Sequence, residues 1–521
     1  MTFTSLYFAI FVAITILIYY LPFMRKYQWV VILISSYAFY LINSKYLVGF
    51  LLFTTVIIYY CGIMLDACNL ALQKVNEDVS GIISDEAKRD SEKKISGNKK
   101  MFVAIGLISN FGLLFALKYF NLFKLGLIPL GISFYTFQAT GYLIDVYREQ
   151  VRAERNLAKF ALFVSFFPQI VQGPISEFGQ LQDQLTAEHR PEWMNFKLGG
   201  ELILWGLFKK LVIADRAVMV INIVSGDHKA YSGSMILFAT ILYAFQIYMD
   251  FSGGIDIARG IAEVLGIDMT VNFRRPYFAK SLAEYWRRWH ISLGAWMKKY
   301  VFYSLSMSGP FMNLSRKIRK SEFGKSKAGK HLAKTLAPAI ATFIVFMLVG
   351  IWHGSNTRYL GFGLWNGLVL MSATLLEPIF KSWNEKLGSN VENPLFKLWQ
   401  MLRTFVLVLI GYYFDIAPSF TGALDMMKRS VTDWRLGGLM EEMHVEGVRL
   451  ADYLVLFIFF WLILFMSIRM EKANVDNPGE LVSKHGKVFQ WIMIYGLILL
   501  IIVFGIYGPG YDPAEFVYMQ F

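Results

Sequence analysis

Uninterrupted apolar runs recur along this chain, and they restrict its folding more than any other feature. The clearest include Ser5–Phe23, Leu47–Leu65, Met101–Phe120, Leu336–His353, Leu398–Phe414, Leu454–Ile468 and Phe489–Tyr507. Stretches of about this length cross the hydrocarbon core of a bilayer as helices. A bilayer offers backbone groups no water, so only helices or closed barrels can span it. These runs are continuous rather than alternating, which argues against a barrel. The chain reads as an all-α polytopic protein, multi-pass in the cell membrane. The first run lacks a small-residue cleavage pattern after it and reads as a retained span.

Charge sets the expected sidedness. The net charge of +13 is densest in Arg316–Lys334, RKIRKSEFGKSKAGKHLAK, which is therefore expected in the cytoplasm. Lys93, Lys94, Lys99 and Lys100 argue the same for Leu72–Lys100. That polar segment shows no apolar period and is expected to be a flexible loop. The stretch Asp415–Arg449 has six acidic residues against four basic and suits the outside. For a basic membrane protein the expected partners are anionic lipids, not nucleic acid.

Polar residues inside apolar stretches are the candidates for chemistry. PQIVQGPI, Pro168–Ile175, puts Gln169 and Gln172 in a broken helix of the kind that lines a protein interior or a wet cavity. YMDFSGGIDIARG, Tyr248–Gly260, carries Asp250, which could orient a histidine, bind a hydroxyl or pair with an arginine. Of seven histidines, only His290 and His353 sit in aromatic, membrane-level surroundings, and each follows a tryptophan. From about Ser281 the sequence predicts one amphipathic helix with Trp286, Trp289, His290, Leu293 and Met297 on a single face. Its plain alternative is an interfacial helix. His353 ends an apolar run and is followed by Gly354, Ser355 and Asn356. An ionisable group at membrane depth is expensive, and neutral imidazole is a natural general base near pH 7. Its alternative is a core histidine bonded to a carbonyl. There is no phosphate loop, no GxSxG elbow and no metal-ligand cluster, so no bound cofactor or metal is expected.

Several stretches together resemble the membrane-bound O-acyltransferase family, in its alginate O-acetyltransferase-like branch. They are Gly131–Arg148, Phe166–Ile175, Tyr248–Ile267, Asn272–Phe302 with WRRWH, and Gly350–Gly354, GIWHG. The resemblance implies roughly eleven or more transmembrane helices, with short re-entrant helices around a central funnel. It implies one domain over 1–521, with a family core at about 122–380 and a tail at 508–521. His353 matches the catalytic histidine and His290 the second active-site position, to stabilise an oxyanion or position the donor. Trp289, Asp250, Asn356, Gln169 and Gln172 are the expected substrate-binding residues. The implied reaction carries an acyl group, with acetyl expected, to hydroxyls of an extracytoplasmic or cell-wall polysaccharide. The donor would be a cytoplasmic thioester, acetyl-CoA or an acyl carrier protein. D-alanyl transfer to teichoic acid is the near alternative, and a transporter or flippase of a polysaccharide precursor the distant one. FVYMQF, Phe516–Phe521, resembles the family's FIYFxF-type terminal motif. That likeness implies an acyl relay through Tyr518 to the polymer or to a second, extracytoplasmic acyltransferase. One departure is GYYFDIA, Gly411–Ala417, where acetylase relatives often carry an arginine.

Overall fold

A computed structural model describes residues 1–77, 85–120, 129–386, 388, 390, 392–445 and 447–507. Every regular element among the described residues is helical. Seven helical stretches are long and apolar enough to cross a membrane, or eight if Thr357–Leu375 and Glu377–Lys386, bent by 64°, form one. One of the seven, Pro22–Asn76, contains two successive helices, Gln28–Ser44 and Val48–Asn76. Leu6–Tyr19 is a shorter apolar helix. Further crossings toward the expected eleven would have to come from such shorter elements. The described residues form two compact units, 1–203 with 254–270, and 204–253 with 271–521.

In the first unit, the segment expected to be a flexible loop is helical where it is described. Val48–Asn76 runs past the apolar residues, and Asp85–Phe120 begins well before the next ones. Lys, Glu, Ala and Arg are good helix formers, and Asp85 and Glu86 suit a helix N-terminus. Over residues 85–100 the polar side chains lie mostly exposed on a helix. Asp66 is buried and paired with Arg155, with Arg152 at 3.6 Å. Gly131 starts the Ile132–Tyr147 helix at φ 66°, and a Cβ there would lie 1.9 Å from the Ile170 carbonyl oxygen. Only glycine satisfies both the left-handed backbone and this close approach.

In the second unit, two helices pack along a seam of glycine. Lys327–His353 and Thr357–Leu375 approach so closely that a Cβ on Gly350 would lie 2.4 Å from the Tyr359 carbonyl oxygen. A Cβ on Gly363 would lie 2.6 Å from that of Phe346. The Lys327–His353 helix ends at His353 because Gly354 leaves helical geometry, and Asn356 caps the next helix by accepting from the Arg358 N–H. His353 is thus fixed at the top of a tightly paired hairpin.

The amphipathic helix expected from Ser281 onward is broken. Leu282–Arg288 is one helix, capped by the Ser281 hydroxyl, and Ile291–Trp296 is another. Between them His290 adopts φ 45°, ψ 54°, the left-handed region. Arg275, upstream, is left-handed too. Such residues cost of order 1–3 kcal/mol each and persist where the surroundings fix them. Here the Arg274 N–H donates to the Arg288 carbonyl and the Ile291 N–H to the Asn272 carbonyl, so two chain segments clamp the break.

Candidate active site

The break turns His290 inward, where it is 2 % exposed, with its ring nearly perpendicular to that of Phe251 at 4.8 Å between centroids. Asn272 Oδ1 accepts from the Ser292 N–H at 2.9 Å and its hydroxyl at 3.0 Å, and lies 3.3 Å from His290 Nδ1. An oxygen already acting as acceptor selects the tautomer with the proton on Nδ1. Burial, and secondarily the His353 imidazole, push the pKa of His290 down to about 3. His290 is therefore neutral, and its Nε2 carries a lone pair. That suits accepting a hydrogen bond from a substrate or its proton.

His353 is 8 % exposed, with Trp352 edge-on at 5.1 Å and Phe362 at 5.2 Å. It lines a small cavity of about 20 Å³ together with Tyr285, Trp286, Trp289, Asn366, Tyr412 and Asp415, among others. That is room for about one water molecule. The polar groups around it are ordered. Trp286 Nε1–H donates to Asn366 Oδ1 at 3.1 Å, and Asn366 Nδ2–H to the Phe362 carbonyl at 2.9 Å. The Tyr285 and Tyr412 hydroxyls are 2.7 Å apart, and that of Tyr277 lies 3.2 Å from Tyr412. Trp289 is buried and stacked on Tyr285 at 5.7 Å.

The expected site residues thus separate into groups. His353 and Trp289 share the cavity, and the electrostatic influence of His353 reaches His290. Asp250 does not line this cavity. It accepts from Lys210 at 2.6 Å, with Asp215 at 2.9 Å from the same ammonium. A buried carboxylate needs a counter-charge, and Lys210 supplies one at a wide π-turn, Phe208–Ala214. Asn356 is exposed and serves as a helix cap. Gln169 and Gln172 belong to the first unit, where Gln169 donates to Gln138 at 2.5 Å. The Gln172 amide is fully buried and makes no hydrogen bond among the described residues. Tyr518 and the tail 508–521 lie outside the described residues.

Four residues escaped sequence reasoning: Asn272, Asn366, Tyr412 and Asp415. Asp415 had been grouped with an external loop, but the Pro394–Ile416 helix carries it to the cavity wall. The paired tyrosines before it, in GYYFD, were the available signal. A far larger apolar groove of about 800 Å³ lies among Gly233–Val264, Pro394–Ile416 and Leu450–Ala473. Its lining is almost wholly hydrocarbon and aromatic, so it offers hydrophobic contact and not acyl-transfer chemistry.

Residues 148–314 match the model of the membrane-bound O-acyltransferase family. A probable alginate O-acetylase of Pseudomonas aeruginosa is 30 % identical over 468 residues, covering 88 % of this chain and 80 % of that protein. The chain belongs to the membrane-bound O-acyltransferase family. A second probable alginate O-acetylase, from Pseudomonas syringae, is 32 % identical over 63 % of the chain and 57 % of its own length. A peptidoglycan O-acetyltransferase of Helicobacter pylori is 28 % identical over 64 % of the chain and 65 % of its own length. The protein is accordingly a multi-pass membrane O-acyltransferase. The family match takes in His290 and its break, and the longer alignments with the acetylases extend beyond it.

Proposed function

We propose that this acyltransferase carries a small acyl group, acetyl, from a cytoplasmic thioester to hydroxyls of an extracytoplasmic polysaccharide, and that it works in the cell membrane. The observation that carries the reading is the placement of His353 in a small, aromatic-walled cavity. The names of its O-acetylating relatives support acetyl and a polysaccharide acceptor.

The chemistry follows from the side chains. The His353 imidazole takes the acceptor hydroxyl proton as that oxygen attacks the thioester carbonyl. The C–O bond forms, the C–S bond breaks, and the imidazolium returns the proton to the departing thiolate. A general base of this kind contributes about 10²–10⁴-fold. Of the hydrogen-bonded Tyr285 and Tyr412 hydroxyls, the one that accepts from the other keeps its own proton to offer the transient oxyanion. The basic segment Arg316–Lys334 would draw the phosphates of coenzyme A or an acidic carrier protein to the cytoplasmic face. Tyr518 would accept the acyl group outside and yield it to the polymer or to a second acyltransferase. A phenol, with a pKa of about 10, leaves more readily than a sugar alcohol.

The test is mass spectrometry of cell-surface polysaccharide with wild-type protein, without it and with His353→Ala. Loss of O-acetyl groups in both altered strains supports the proposal. An unchanged acylation pattern overturns it.

A further inference from the structure

Asp415 brings a carboxylate to the same cavity wall as His353. Its Oδ1 is buried and has no hydrogen-bond partner, and Asp415 forms no hydrogen bond or ion pair among the described residues. Its nearest charged influence is Arg358. That guanidinium is partly committed elsewhere: Nη1 donates to the Ala417 carbonyl and Nη2, at 2.8 Å, to the Tyr359 hydroxyl, and it lies over the Tyr359 ring at 4.8 Å, while Nε is buried without a hydrogen-bond partner. Arg358 tempers the charge of Asp415 without pairing with it.

A carboxylate left this way at membrane depth is expensive, and such groups ordinarily face a cation or a functional path. The remaining cavity wall points the same way. Trp286, Trp289, Phe362 and Tyr412 line it, and aromatic faces attract cations through the ring quadrupole. Aromatic rings around a carboxylate, in a space of about 20 Å³, match the size and charge of an ammonium head. A neutral methyl group would satisfy the rings and leave the carboxylate unpaired.

We propose that the cavity beside His353 binds an alkylammonium group of the substrate through Asp415 and its aromatic wall. This rests on the acyl-transfer reading above and narrows its substrate class. The ammonium comes from an acceptor polymer bearing free amines; an aminoacyl donor, which would replace the acetyl reading, is an outcome the test distinguishes. Held on Asp415, the nitrogen stays protonated and has no lone pair with which to attack the thioester. His353 is then left to activate the neighbouring hydroxyl, so transfer goes to oxygen and not nitrogen.

The test uses the full chain in lipid nanodiscs and needs no turnover. Methylammonium and methanol, of similar size and opposite character, are titrated against thermal unfolding. Methylammonium should stabilise the wild type saturably, and Asp415→Asn should weaken its apparent affinity at least tenfold. Asp415→Glu should keep the charge and recover most of the effect. Equal responses to methanol and methylammonium would show a hydroxyl-accepting carboxylate and overturn the proposal. So would wild-type methylammonium affinity in Asp415→Asn, or no methylammonium response in the wild type. The unfolding midpoints without ligand report whether each variant folds. Transfer assays then separate the sources. Glucosamine oligomers are compared with their N-acetylated forms, and alanyl with acetyl pantetheine thioesters. A preference for either amine-bearing member, lost in Asp415→Asn, locates the ammonium. Absence of all transfer, with methylammonium binding intact, would count against the acyl-transfer reading and not against the site.

Discussion

Asn272 Oδ1 lies 3.3 Å from Nδ1 of His290, eighteen residues along the chain, and thereby selects which of its nitrogens carries the proton. The same oxygen holds both the N–H and the hydroxyl of Ser292. Asn272→Ala removes all three contacts from a buried site, at a cost of about 1–3 kcal/mol for the groups left unsatisfied. Unfolding in nanodiscs should show that loss, and turnover should fall at least tenfold. Asn272→Asp keeps an acceptor in place and should retain more of both. Equal behaviour of the two variants would mean that the acceptor does not orient His290.

His353→Ala should lower turnover by about 10²–10⁴-fold, the usual contribution of a general base. The side chain caps no helix, so the unfolding midpoint should move little. His290→Ala should impair turnover less uniformly across substrates, because His290 touches the reaction through the donor or acceptor it positions. Wild-type turnover by His353→Ala on a purified substrate pair would remove the base from the mechanism.

Gly350→Val and Gly363→Val each drive a branched side chain into a carbonyl of the facing helix. Overpacking of this kind costs typically about 1–3 kcal/mol. Both variants should melt earlier than wild type and lose activity together with stability. Gly496→Val, where nothing lies within 4 Å of the added carbon, is the matched control and should do neither.

Tyr518→Phe preserves ring and bulk while deleting the hydroxyl. If the tail relays the acyl group, polymer acylation should drop while membrane insertion stays normal. Peptide mass spectrometry should also find an acyl adduct on the wild-type tyrosine. Full acylation by Tyr518→Phe would reduce the tail to an anchor.

Single cysteines placed in Arg316–Lys334 should resist an impermeant thiol reagent in intact cells and react after permeabilisation. Labelling from outside would reverse the sidedness and the proposed direction of acyl flow.

Much of this was legible beforehand because bilayer physics writes itself into long apolar runs. His353 stood out because an ionisable group ending such a run is rare. The break at His290 was hidden: its neighbours keep a helical period, and a left-handed histidine leaves no composition signal. Asn272 reaches His290 through a fold-back that periodicity cannot encode. Asp415 was misread because five acidic residues downstream drew it into a loop, when its own turn still belongs to the helix. Asp250 was expected to orient a histidine, bind a hydroxyl or pair with an arginine, and its cation, Lys210, lies forty residues earlier at an irregular turn.

The glycine seam between Lys327–His353 and Thr357–Leu375 bears on how this enzyme meets membranes of different composition. Helices that touch backbone to backbone cannot slide or splay independently without losing those contacts. A thinner or thicker bilayer is accommodated by tilting helices, at fractions of a kcal/mol per Å of mismatch. A hairpin locked at Gly350 and Gly363 tilts as one body, and carries His353, Phe362 and Asn366 with it. The seam therefore insulates the geometry around the base from lipid chain length. Turnover in nanodiscs of graded acyl length should accordingly vary less for the wild type than for a variant whose seam has been loosened.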